Sequence, residues 1–198
     1  MPFIPPVTKA LMLLCVGLYC LWMLVAGMPG ITDVFVAMWL WPLNTGRFEL
    51  WQPITYAFLH GDPLHLFFNM LGLWMFGAEL ETIWGRTRYA LLLLASVLTA
   101  AAAQLVVTLV TNSGSTTVGA SGALFGLLLA YGLQFGERVI VPLFPPIPMK
   151  IKVAVALFGA AELILGFTGG RGIAHFAHLG GMLGAWLIIN HWRGAPRR

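Results

Sequence analysis

Charged side chains are scarce in this chain, and their scarcity excludes an ordinary soluble domain. They make up only 9% of the 198 residues, whereas hydrophobic residues make up 59% and the mean hydropathy is +0.86. A soluble domain usually carries about one charged residue in four. The composition therefore predicts an integral membrane protein.

The chain has only two cysteines, and its basic residues form no cluster. The two cysteines, Cys15 and Cys20, lie in the first apolar run, where neither a disulfide framework nor a metal pair is expected, so we interpret them as small apolar side chains. The net charge of +4 is dispersed over loops and tail, which argues against a nucleic-acid partner. No internal repeat of the kind that marks a transporter is present.

Histidine is the one residue type that leaves a metal site open. His60, His65, His175 and His178 all lie toward the same predicted side of the membrane. Zinc usually recruits cysteine or carboxylate ligands as well, or the His-Glu-x-x-His motif, which is absent here. We therefore predict no metal and no cofactor.

Six apolar runs divide the chain, most of them near the ~20 residues that cross ~30 Å of hydrocarbon. They lie at about residues 10–28, 64–83, 89–110, 121–135, 151–167 and 173–189. They predict an all-α membrane protein, a six-transmembrane-helix bundle forming a single domain over residues 1–198. The first run exceeds the ~7–15-residue core of a signal peptide, so we expect a retained helix.

The basic residues predict the orientation of the bundle. Nine of the eleven lie on the side shared by both termini and the even-numbered loops, and only Arg47 and Arg171 lie on the other. The nine are Lys9, Arg86, Arg88, Arg138, Lys150, Lys152, Arg193, Arg197 and Arg198. Such an excess marks the cytoplasmic face, so both termini are predicted inside.

The first loop, at about residues 29–61, then lies on the outer side. It is rich in aromatic side chains, which suit a membrane interface. These are Phe35, Trp39, Trp41, Phe48 and Trp51. We expect this long loop to lie on the membrane, although an ordinary outer loop remains an alternative.

Several polar groups lie at nearly one depth. Counting 1.5 Å per residue from the charged residue that ends each helix on the cytoplasmic side, Ser121, His178 and Asn69 lie about 24, 22 and 25 Å up. His65 lies one turn above Asn69, at about 31 Å. A nucleophile, a base and two polar donors in the outer third of the bilayer predict a buried hydrolytic site.

The fourth helix is short, so the loop at residues 111–119 must dip below the outer surface, which requires a cavity or protein around it. Glycines form small faces on the fourth and sixth helices that allow close approach. They are Gly122, Gly126, Gly180, Gly181 and Gly184. Depth does not distinguish His178 from His175 as the base, but the glycines that follow His178 favour it.

The acidic residues provide no obvious partner for His178. Glu79 and Glu81 lie within about 10 Å of the cytoplasmic face, too far from His178. Glu162 lies near the middle of the fifth helix, where burying a charge in the membrane is energetically costly. We assign no role to Glu162. The other acids, in or beside the first loop, are Asp33, Glu49 and Asp62. A Ser/His dyad is therefore expected rather than a triad.

Taken together, the motifs resemble those of the rhomboid intramembrane serine proteases over most of the chain. They are His65-x-x-x-Asn69, Gly119-x-Ser121-Gly122 and Ala177-His178-x-x-Gly181, with Glu81 and Gly85 at the end of the second helix. The resemblance implies a bacterial inner-membrane enzyme that cleaves transmembrane protein substrates near the outer face. It implies Ser121 as nucleophile and His178 as general base.

The resemblance also implies an oxyanion hole made of His65, Asn69 and the Ser121 backbone N–H, with Gly119 shaping the loop. Gln52 stands where the family often has arginine, which leaves the packing of the first loop open. Phe125 stands where some members have tyrosine; it can stack on the histidine but cannot hydrogen-bond. The alternative is an inactive rhomboid-like chaperone or scaffold, which would lack the serine or the histidine.

Overall fold

The computed structural model describes residues 4–142, 146–168 and 174–194, and these are mostly helical, in agreement with the all-α prediction. The longer helices are α1 (Pro6–Val25), α4 (Pro63–Gly72), α5 (Ala78–Val110), α6 (Ser121–Phe135), α7 (Ile151–Thr168) and α8 (His175–Gly194). Short helices α2 (Ile31–Ala37) and α3 (Gln52–Thr55) lie in the first loop, and β1 (Val139–Ile140) pairs with β2 (Met149–Lys150).

Three helical stretches of the described chain are long and apolar enough to cross a membrane: Pro6–Val25, Pro63–Val110 and Ile151–Thr168. Their outward faces carry large apolar side chains, such as Leu24 and Phe167, that are mostly exposed. Exposed apolar surface of this extent suits contact with lipid rather than water.

The longest stretch is two helices joined at Gly85. A π-helical turn (Leu73–Gly77) connects α4 to α5, and within α5 Gly85 has φ +78° and ψ 164°, which breaks the helix. A side chain there would be strained, because positive φ strongly favours glycine. The break separates the apolar runs predicted at residues 64–83 and 89–110.

Helices α5, α6 and α8 form the centre of the molecule, where glycines bring backbones into contact. A Cβ at Gly181 would overlap the carbonyl of Gly122, and one at Gly184 would overlap the Thr99 side chain and the Ala95 carbonyl. Small residues permit this kind of close van der Waals packing between helices in lipid. The expected contact between the fourth and sixth predicted helices is thus present, and α5 joins it.

Glu81 attaches the start of α1 to this centre. Its buried carboxylate accepts hydrogen bonds from the backbone N–H groups of Val7 and Thr8 and from the Thr8 hydroxyl. The first N–H groups of a helix have no partner within the helix, so an acceptor here satisfies them.

The first loop is closed by Gln52, whose packing the sequence left open. Its buried amide accepts from the Trp41 N–H (3.1 Å) and donates to the carbonyls of Ala37 (3.1 Å) and Arg47 (2.9 Å). The neutral amide therefore joins three backbone positions of this loop.

The aromatic side chains of the loop pack partly on α1. Phe35 is buried, with its ring 5.4 Å from that of Trp22, so it does not face the membrane interface as expected. Trp39 stacks on Trp41 and also contacts Trp22. Three residues used in the charge count, Arg171, Arg197 and Arg198, lie outside the described residues.

We predict that Gln52→Ala lowers the midpoint of thermal unfolding in detergent micelles. The substitution removes three part-buried hydrogen bonds, from the Trp41 N–H and to the carbonyls of Ala37 and Arg47, although the Ala37 carbonyl still accepts from the Trp51 indole. Each such bond contributes about 0.5–1.5 kcal/mol. Gln134→Ala is the matched control, since that exposed glutamine makes one 3.3 Å contact with Trp84. Equal midpoints for the two variants would contradict the anchoring role.

Candidate active site

Ser121 is the first residue of α6, and its side chain contacts His178 on α8. The Ser121 Oγ lies 2.8 Å from the His178 Nε2. In the tautomer with the proton on Nδ1, this Nε2 accepts the hydroxyl proton. The structure therefore brings together the two residues predicted as nucleophile and base.

The His178 ring is held flat against Phe125. The ring centroids are 4.3 Å apart and the planes differ by 5°. Phe125 lies one turn after Ser121 on the same helix, so α6 supplies both the hydroxyl and the surface that fixes the plane of the imidazole. Phe125 thus stacks on the histidine, as the sequence allowed.

Gly119 brings His65 close to the start of α6. Its φ is +122°, a conformation that strongly favours glycine, and an ideal Cβ there would lie 2.6 Å from both Cε1 and Nε2 of His65. The Gly119 N–H donates to the Tyr56 carbonyl (2.9 Å). The loop at residues 111–119 is also tied to the first loop by a two-bond bridge between Thr117 and Leu40.

Asn69 lies one turn below His65 on α4. Its Nδ2 donates to the His65 carbonyl (2.8 Å), and its buried Oδ1 has no protein partner among the described residues. The second N–H of the amide is not used by this bond. The backbone N–H of His65 is itself capped by Asp62 Oδ1 (2.8 Å).

One cavity of about 570 Å³ joins the polar side chains described above. His65, Asn69, Ser121, Phe125 and His178 line its walls. Its size is within the ~300–1,000 Å³ of ordinary ligand pockets.

His60 supports His65 from outside the cavity. The two rings pack edge to face with centroids 5.1 Å apart, and both His60 nitrogens lack a protein partner in the described part of the chain. Burial lowers the pKa of His60 to about 4, and His65 adds to this effect. His60 is therefore neutral at neutral pH and contributes no charge beside the site.

Glu162 on α7, to which the sequence assigned no role, contacts both histidines of α8. Its Oε1 lies 3.0 Å from the His178 Nδ1, and its Oε2 lies 2.6 Å from the His175 Nδ1. The expectation that no acidic residue reaches His178 is therefore wrong. His175 contacts the carboxylate, and its Nε2 has no protein partner within the described ranges.

The depth count explains the omission. Glu162 lies ten residues after Lys152, about 15 Å up, against about 22 Å for His178. The difference of about 7 Å is between Cα positions, and a glutamate side chain and helix tilt cover it. The available signal was a carboxylate in an apolar helix, which needs a partner, together with two histidines on one face of another helix.

The possible metal ligands among the described residues include the histidines near Ser121. No group of three or more His, Cys, Asp or Glu side chains in that part of the chain is arranged to hold an ion. The two histidines near Ser121 direct their Nδ1 atoms to a carboxylate.

Residues 47–192 match the family model described as the Rhomboid domain. The match covers most of the chain and includes every group that lines the cavity walls named above. The chain therefore belongs to the rhomboid family.

Individual relatives agree with this assignment. The chain is 30% identical over 191 residues to Rhomboid protease GlpG of Yersinia pestis (strain Pestoides F) and to that of Yersinia pseudotuberculosis serotype O:3 (strain YPIII). The protein of the same name from Yersinia enterocolitica is 28% identical. Each alignment covers 94% of this chain and 62% of the relative, so the chain spans about three fifths of their length.

Proposed function

We propose that this protein is an intramembrane serine endopeptidase that cleaves transmembrane protein substrates. The observation that carries the proposal is the 2.8 Å contact between Ser121 Oγ and His178 Nε2, made in a cavity within an apolar protein. Membership of the rhomboid family and similarity to proteins named as rhomboid proteases support it.

The first chemical step is attack by Ser121. His178 takes the hydroxyl proton on Nε2 while Oγ bonds to the scissile carbonyl carbon. The carbonyl oxygen becomes an anion, and the same histidine then gives its proton to the leaving amine, which produces an acyl-enzyme. Water in the cavity then hydrolyses the acyl-enzyme: His178 takes a proton from the water as it attacks and returns a proton to Ser121 Oγ as that atom leaves.

The developing oxyanion is stabilised by donors around Ser121. We assign this role to the side chains of His65 and Asn69 and to the Ser121 backbone N–H, with Gly119 giving His65 its position. The second N–H of the Asn69 amide, which the bond to the His65 carbonyl does not use, supports the assignment. The N-terminus of α6 adds a partial positive charge close to the developing oxyanion.

The membrane arrangement follows from the helices and the charges. We infer six transmembrane helices, with the Gly85 break separating the second from the third, in a bacterial inner membrane. Both termini are then cytoplasmic, the first loop lies on the outer surface and the cavity is in the outer third. A substrate helix must unwind there, because its own hydrogen bonds bury the scissile carbonyl.

We predict that Ser121→Ala abolishes cleavage of single-pass membrane substrates in reconstituted liposomes without lowering the unfolding temperature. A fluorophosphonate should label Ser121 in the wild type and not the variant. An alanine variant with full activity, or activity lost in chelator with Ser121 unlabelled, would favour a metal enzyme. An unreactive Ser121 and no cleavage would favour an inactive scaffold.

His178→Ala should eliminate both cleavage and labelling, whereas His175→Ala should keep a substantial part of each. The reason is that, of these two histidines, His178 contacts the Ser121 hydroxyl and His175 contacts the Glu162 carboxylate instead. The measurement is the rate of fluorophosphonate labelling in micelles. The reverse pattern would assign the base to His175.

His65→Ala and Asn69→Ala should lower turnover more than substrate affinity, since an oxyanion hole acts on charge that exists only in the transition state. One such donor is worth roughly 10²–10³ in rate, and less in a wet cavity. Steady-state kinetics with one peptide substrate separate kcat from KM. His191→Ala, an exposed histidine near the end of α8, is the control. Wild-type kcat in both cavity variants would exclude this oxyanion hole.

A further inference from the structure

We propose that Glu162 is a positioning residue for His178, so that the reacting groups form a chain from Ser121 through His178 and Glu162 to His175. This inference rests on the proposed function, because it concerns the same serine and histidine. It adds a carboxylate to a site that the sequence predicted to be a dyad.

The contacts are the first support. The two oxygens of one carboxylate engage the Nδ1 atoms of two histidines, at 3.0 Å for His178 and 2.6 Å for His175. The three side chains are enclosed, with exposed fractions of 10%, 6% and 14% for His178, His175 and Glu162. A carboxylate held this way has little freedom to turn toward other partners.

The chemistry of imidazole gives the contact its consequence. A neutral imidazole carries one proton, and the partner of one nitrogen decides where that proton lies. A carboxylate only accepts, so Glu162 places the His178 proton on Nδ1 and leaves the Nε2 lone pair facing Ser121. The opposite tautomer would present an N–H to the hydroxyl and could not take its proton.

The carboxylate also acts after proton transfer. When His178 takes the Ser121 proton it becomes a cation, and a negative charge 3.0 Å from Nδ1 stabilises it. The approach to Nδ1 is bent, since this atom lacks a well-aligned hydrogen bond. The contact therefore works as a close charge pair.

His175 fixes the other end of the carboxylate. It lies three residues before His178, on the same face of α8, and its Nδ1 donates to Oε2 of Glu162. The shorter of the two contacts is thus the one away from the reacting atoms. Among the other titratable groups, His65 on α4 lies close enough to His178 to interact with its charge, and Asp62, which caps α4, interacts with His65.

A purely structural role is the competing explanation, because Glu162 also ties α7 to α8. A structural tie predicts loss of stability alone. A positioning role predicts slower chemistry and a changed dependence on pH. Glu79 is a matched control, since it too joins helices through a side-chain network, with Tyr131 and Arg138, away from the cavity.

The test compares Glu162→Gln, Glu162→Asp and Glu79→Gln with the wild type in liposomes. Glu162→Gln should lower kcat by about 10²-fold with KM little changed, as expected when a catalytic group is mispositioned. The acid limb of its pH–rate profile should move to lower pH, because the protonated imidazole loses its counter-charge. Glu162→Asp keeps the charge and should restore that limb, and Glu79→Gln should leave both kcat and the profile unchanged.

A wild-type kcat and profile in Glu162→Gln would overturn the inference. The result is distinguishable from failure of the proposed function, which Ser121→Ala with full activity would show independently. If Glu162→Gln does not fold, nitrogen-15 spectra of histidine in the wild type decide the matter. They should show that the neutral His178 imidazole carries its proton on Nδ1 and none on Nε2. The opposite tautomer would overturn the positioning role of Glu162.

Discussion

The distance between Ser121 and His178 depends on how closely α6 approaches α8. At Gly122 and Gly181 the two backbones touch, and a single added Cβ would force them apart. Lipid tails provide little hydrophobic drive for helices to associate, so the energy of this contact comes from close packing of small residues. Because Ser121 precedes Gly122 and His178 lies one turn before Gly181, the same contact sets the geometry of the reacting atoms.

Polar groups in this apolar chain mark the places where elements are joined. Glu81 holds the start of α1, Gln52 closes the first loop and Glu162 connects α7 with α8. Each would be costly in hydrocarbon without partners, and each has two or three. At Glu162 the partners are two histidines beside a serine, so the contact that connects α7 with α8 lies within the candidate active site.

The loop before α6 completes the cavity because its backbone is satisfied by other protein segments. Thr117 pairs with Leu40, and Gly119 donates to Tyr56. Irregular backbone inside a membrane is tolerated only against protein or water, and these hydrogen bonds supply protein partners for the loop. The positive φ of Gly119 then allows His65 to pack directly over the loop.

The sequence alone determined the helical membrane class and the start of α6 at Ser121, because apolar length is a local property, and it predicted a common depth for four polar groups. It could not show that Glu162 reaches His178, since that contact depends on how α7 and α8 tilt and on the length of one side chain. Depth alone did not separate His175 from His178 as the Ser121 partner; the glycines after His178 favoured it, and the tertiary structure shows the contact. Two histidines one turn apart differ little in depth. The packing of α6 against α8 gives one of them the hydroxyl, and the packing of α7 against α8 gives both of them the carboxylate.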